Sequence, residues 1–179
     1  MRLNGWRFGG LALVMAGAMA VQARGQMMAE VTPVAGIIPS GFGAAIDRDI
    51  ARAREATARY RDPAAAVAAG YAASTHCVEN QPAGGMGLHY DNNALRDVTL
   101  DVEKPEVLVY EKTADGTIKL NGVEYIVPIA AWTKDEPPSI MGQKLKKAQG
   151  LGIWYLHVWT YEPSPSGVFA DWNPNVKCR

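Results

Sequence analysis

Residues Gly152 to Glu162 read Gly-Ile-Trp-Tyr-Leu-His-Val-Trp-Thr-Tyr-Glu, a run made mostly of β-branched and aromatic side chains. Such residues favour the pleated surface of a strand, and a strand sorts its side chains with a period of two. Tyr155, His157, Trp159 and Tyr161 therefore share one face, with Trp154, Leu156, Val158 and Thr160 on the other. Both faces are largely apolar, which predicts a central strand covered on both sides. His157 then lies where water cannot satisfy its ring nitrogens, so it needs a hydrogen-bond acceptor or a metal ion.

A second β-rich stretch supplies an answering group. Pro105 opens Glu106 to Glu111, Asp115-Gly116 offers a tight turn, and Thr117 to Val127 returns, which is the signature of a β-hairpin. In the returning strand Glu124 stands between Val123 and Tyr125, and a carboxylate among apolar neighbours also requires a partner. If this strand lies beside the 152–162 strand, Glu124 faces His157. The third group is His89, which follows Gly84, Gly85 and Gly87. These glycines predict a loop that presses Met86, Leu88 and His89 into the interior. With no Lys-Ser/Thr pair and no strand-to-helix context, the loop is not read as a phosphate cradle.

Two imidazoles and one carboxylate form the inner ligand set of many mononuclear Zn, Fe, Cu or Mn sites with positions left for water or substrate. His89, Glu124 and His157 are accordingly the candidate ligands of a divalent transition metal. A metal-free reading makes His157 a general base oriented by Glu124, with Tyr90, Tyr125 and Tyr155 binding a polar substrate. A third makes the protein a non-catalytic binding or structural module in which the same residues form a buried hydrogen-bond network. No local HExxH motif selects among these, and no serine has the setting of a nucleophile elbow. Trp132, Trp154, Trp159 and Trp172 could also offer a stacking platform, although most are expected in the core.

The N-terminus bears on the compartment. Arg2 and Arg7 precede the apolar run Leu11 to Ala20, and small residues follow to Ala23. This is the pattern of a secretory signal peptide over residues 1–23, too short in its apolar part for a bilayer span. Its removal takes two arginines and no acid from a chain of 18 basic and 18 acidic residues, leaving a slight acidic excess and no basic footprint for nucleic acid. The expected partner is a small molecule or a metal ion, in the periplasm or outside the cell, with no stable membrane span after signal removal. In such a compartment the two cysteines, Cys77 and Cys178, are expected to pair.

Residues 24–43 read as a flexible leader rich in Gly and Pro. From Ala44, apolar residues at Ile46, Ile50, Ala53, Thr57 and Tyr60 recur at helical spacing, and Asp62-Pro63 caps a short second helix closed by Gly70. Residues 129–150, with Lys144, Lys146 and Lys147, show little period and predict a surface connection covering an edge or face of the sheet. The whole predicts one α+β domain over residues 44–179, with N-terminal helices packed on a mostly antiparallel sheet.

Five blocks, Met86-Gly-Leu-His-Tyr90, Lys104 to Tyr110, Val123-Glu-Tyr125, Leu156-His-Val-Trp159 and Asn173-Pro-Asn-Val-Lys-Cys178, resemble those of a family of small exported bacterial proteins of unassigned function. The resemblance implies that these segments belong to one domain, and it carries no catalytic role.

Overall fold

A computed structural model describes residues 39–74 and 76–179. The signal peptide expected over 1–23 and the first part of the leader lie outside the described residues. Helix α1 (Ala44–Thr57) passes into a 3-10 turn over Ala58–Arg61 and then α2 (Pro63–Ala68). As the sequence predicts, the Asp62 side chain accepts a 2.9 Å bond from the Ala64 N–H, and Gly70 follows at a φ of 96° that favours glycine.

Strands β1 (Ala72–Ala73), β2 (Val78–Asn80), β3 (Gly84–Asp91), β4 (Val107–Lys112) and β5 (Ile118–Pro128) come next. After them come β6 (Ser139–Ile140), β7 (Gln143–Lys144), β8 (Lys146–Ala148) and β9 (Ile153–Val158). The main sheet runs β1-β3-β4-β5-β9-β8, with β2 also on β3, and every pairing is antiparallel. This is the α+β architecture expected, with two differences in detail. The glycine-rich segment is strand β3 rather than a loop, and β9 is penultimate rather than central. The 129–150 connection does cover an edge, through β8.

Alternation divides the sheet. Leu108, Tyr110, Val123, Tyr125, Val127, Leu156 and Val158 face Ala53, Tyr60, Ala66 and Tyr71 of the helical layer in one buried cluster. The opposite face carries Val109, Trp159 and Val176, so the C-terminal tail covers what the helices do not. The tail is fastened three ways. Gly85 and Asn173 exchange backbone hydrogen bonds of 3.1 and 3.0 Å, the Gly85 N–H is also 3.1 Å from the Val176 carbonyl, and Cys77 is bonded to Cys178. The Asn173 side chain accepts from the Asn175 N–H at 3.0 Å, which shapes the turn that brings Val176 inward.

Tyr161 does not share the face of His157. Strand β9 ends at Val158, and beyond it the chain turns so that the Tyr161 hydroxyl reaches Thr57 Oγ1 at 3.0 Å on the helical side.

Candidate functional site

The site forms on the sheet face away from the helices because three strands each contribute one inward polar residue there. Antiparallel register sets Glu124 of β5 directly opposite His157 of β9. His89 of β3 pairs with Val109 of β4, which in turn pairs with Gly122 of β5. A small side chain and a glycine thus occupy the positions between the two histidines, leaving room for the rings to meet above the sheet. Gly122 also permits close packing of β5 on β9, since a Cβ there would lie 2.6 Å from the Val158 carbonyl oxygen.

The convergence is tight. His89 Nε2 lies 3.3 Å from His157 Nε2, and the Glu124 carboxylate lies 3.7 Å from His89 Nε2 and 3.5 Å from His157 Nε2. All three residues are buried, His157 to 1% exposure. Trp159 stacks on the His157 ring at a centroid distance of 6.0 Å, and Tyr155 meets it edge-on. The two aromatic neighbours along the strand face fix the imidazole by packing.

Burial decides the charges. It raises the Glu124 carboxyl to about 8, with Asp91 adding to the rise and Arg96 opposing it. It lowers His157 to about 3, helped by the neighbouring His89 and by Lys146. Burial likewise lowers His89, against smaller opposing effects of Asp91 and a hydrogen bond to the Gly87 backbone. Without an ion, the centre near neutral pH is a carboxylic acid beside two neutral imidazoles.

Two ion pairs flank this centre. Asp91, two residues after His89, holds Arg96 at 2.5 Å. On the other side Asp171 accepts from Lys146 Nζ at 2.6 Å and from the Tyr155 hydroxyl at 3.3 Å. Asp91 was findable by parity with His89, whereas Asp171 comes from the irregular tail and carries no local signal.

The structure does not bring Tyr90 and Tyr125 to this centre. Both face the helices: Tyr90 packs on Tyr110, and the fully buried Tyr125 donates its hydroxyl to the Val102 carbonyl at 2.7 Å. Tyr155 is the only one of the three tyrosines on the site's face. His76 is exposed and outside the cluster. Glu106, which the sequence did not single out, is a second buried acid that accepts the Ile126 N–H at 2.9 Å and so stands in for a backbone partner.

Comparisons with protein-family models, curated proteins and solved structures find no match.

Proposed function

We propose that the protein is an exported binder of one divalent transition-metal ion, held by His89 Nε2, His157 Nε2 and a Glu124 oxygen, with a fourth position for water or a small ligand. The observation that carries this reading is the convergence of three buried donors within 4.8 Å of one another: the two Nε2 atoms are 3.3 Å apart, and Glu124 reaches His157 through Oε1 at 3.5 Å and His89 through Oε2 at 3.7 Å. Donors at ~2.0–2.2 Å from a shared ion are separated by roughly 3.3–3.6 Å in a tetrahedron and by about 2.8–3.1 Å at right angles in an octahedron. The 3.3 Å between the two imidazole nitrogens matches the tetrahedral arrangement, and with two imidazoles and a carboxylate as donors it favours zinc over manganese or iron.

The charges support the same reading. A divalent ion would displace the Glu124 proton and leave the carboxylate paired with the ion, while both imidazoles are already in the neutral form that ligates. Such an ion would act as a Lewis acid on whatever occupied the fourth position. Export is supported by the signal-like N-terminus and by the disulfide, which suits an oxidising compartment. Among the described residues no helix is long and apolar enough to cross a membrane.

A second reading, an ion-free hydrogen-bonded centre, is favoured by one observation: the 3.3 Å between the two Nε2 atoms lies within hydrogen-bond reach. It leaves the Glu124 carboxylate at 3.5 and 3.7 Å from its partners, at or beyond that range.

The deciding experiment is elemental analysis of untagged protein purified from an oxidising compartment, followed by calorimetric titration with Zn(II). We expect close to one ion per chain and loss of that stoichiometry in His157→Ala. Metal-free preparations that also fail to take up Zn(II) would leave the hydrogen-bonded centre as the correct reading.

A further inference from the structure

The His/Glu/His centre is closed. His157, Glu124 and His89 are 1%, 6% and 8% exposed, so a hydrated ion reaches the donors only if part of their cover moves. The strands that carry the three residues are joined by ladder pairing from β3 through β4 and β5 to β9, and parting them would break the sheet. The cover on the β9 side is held differently.

Tyr155, His157 and Trp159 project to one face of β9, and two consecutive residues of the tail are bonded to the side chains on either side of the imidazole. The Ala170 carbonyl accepts the Trp159 indole N–H at 2.7 Å, and the Asp171 carboxylate accepts the Tyr155 hydroxyl at 3.3 Å. Lys146, the register partner of Tyr155 on β8, donates to Asp171 at 2.6 Å and to the Phe169 carbonyl at 3.4 Å. Two residues further on, Asn173 is bridged to Gly85 of β3. The stretch 170–173 therefore runs from β9 to β3, the strands that supply the two imidazoles. Its flanks are held by backbone bonds, from the Trp159 N–H to the Val168 carbonyl at 2.9 Å and between Asn173 and Gly85 at 3.0 and 3.1 Å. Between these anchors the bonds to β8 and β9 come from side chains. The Lys146 and Asp171 side chains are 43% and 23% exposed, and an ion pair open to water to that extent is weak and easily exchanged.

We propose that residues 170–172 form a strap that opens to admit and release the metal ion, with the Asp171–Lys146 pair as its latch. An arriving divalent cation takes the place of the Lys146 ammonium on the Asp171 carboxylate. That exchange frees the strap and holds the ion beside the centre, since an aspartate oxygen is itself an ordinary ligand for such ions. Asp171 is close enough for its charge to add to the rise of the Glu124 carboxyl. The strap rests on the contacts of the tail, and its cargo rests on the metal reading of the centre.

The test needs a readout that does not depend on the ion. Mature, disulfide-bonded protein freed of metal by a chelator is treated with diethyl pyrocarbonate at pH 7, and the initial rate of modification at each histidine is read by peptide mass spectrometry. His76, exposed and outside the cluster, is the internal reference. Lys146→Met should raise the His157 rate relative to His76 about fivefold, through a larger open fraction. Lys119→Met removes an ammonium of similar exposure, 45%, from its pair with Glu162 and should leave the rates unchanged. In the Zn(II)-loaded protein, release of the ion into excess EDTA, followed by stopped flow, should accelerate in Lys146→Met by the same factor. The calorimetric affinity should stay the same, because the closed form still predominates. Equal His157 rates in Lys146→Met and the unaltered protein, or an equal rise in Lys119→Met, would overturn the strap whether or not Zn(II) binds. Faster labelling with unaccelerated Zn(II) release would overturn its role in passage of the ion. Faster labelling in a protein that takes up no Zn(II) would leave the strap standing and overturn the metal reading alone.

Discussion

Glu124 is the residue on which the chemistry of the centre turns. Its carboxyl is raised to about 8 from an ordinary value of 4.5, so between those limits the ion-free folded protein holds a proton that the unfolded chain releases. Stability must therefore fall as pH rises through that window, by a few kcal/mol on the scale of ~1.4 kcal/mol per pKa unit. His157, lowered from 6.5 to about 3, acts oppositely, and its contribution is lost as pH falls below 6.5. We expect chelator-treated protein to lose denaturation free energy between pH 6.5 and 8, and Glu124→Gln to lack that decline. An ion reverses the first effect by displacing the proton. Zn(II) affinity should rise about tenfold per pH unit up to about pH 8, and calorimetry at pH 6.5 in buffers of different ionisation heat should count one proton released per ion. A count of zero would mean that the carboxyl is not a ligand. At this scale strand parity made Glu124 and His157 legible as a facing pair. The same parity excludes Tyr90 and Tyr125, since each is one residue from a member of the centre, on an extended strand, and must project to the other side. Tyr161 escaped the rule for another reason: the strand that would have governed it had already ended.

Among the elements, β5 and β9 fix the centre through their close approach at Gly122. A methyl group at that position would meet the Val158 carbonyl oxygen at 2.6 Å, a backbone atom that cannot rotate aside. We expect Gly122→Ala to cost about 1–3 kcal/mol, the range for overpacking a filled interior, and to weaken Zn(II) binding by parting Glu124 from His157. Gly150→Ala, with nothing within 4 Å, serves as the comparison and should change neither. Equal melting temperatures and equal Zn(II) affinity in the two variants would show that β9 yields without moving the centre. Gly87 plays a related part on β3: its φ is 106°, a Cβ there would lie 2.3 Å from the Tyr110 carbonyl oxygen, and His89 follows two residues later. The elements themselves were largely legible, because helical spacing marks α1, Asp62-Pro63 marks α2 and Asp115-Gly116 marks the β4-β5 turn. Strand β3 was not. Glycines that signal a loop by local propensity are there to let the tail and β4 approach its backbone, which is a tertiary fact with no local signature.

For the molecule as a whole, the Cys77–Cys178 bond joins residues 101 apart in sequence and holds the tail against the sheet face that carries the centre. The cysteine pairing was legible from two cysteines and an export pattern, but the burial of Val176 against Val109 and Trp159 was not, because residues 163–178 have no period to read. Closing a loop of this length removes on the order of 4–5 kcal/mol of unfolded-chain freedom in the entropic account. Cys178→Ser should therefore lower the denaturation free energy by up to about 4 kcal/mol. Cys77→Ser should do the same, and the double variant should be no worse than either single one, since all three lack the same bond. Because Val176 packs on Trp159 and Trp159 stacks on His157, a loosened tail should also weaken Zn(II) binding and expose the 163–178 segment to limited proteolysis. Additive losses in the double variant would show that each cysteine stabilises the fold through its own packing. Unchanged ion affinity would show instead that strand pairing alone, without the tail, is enough to hold the two imidazoles and the carboxylate together.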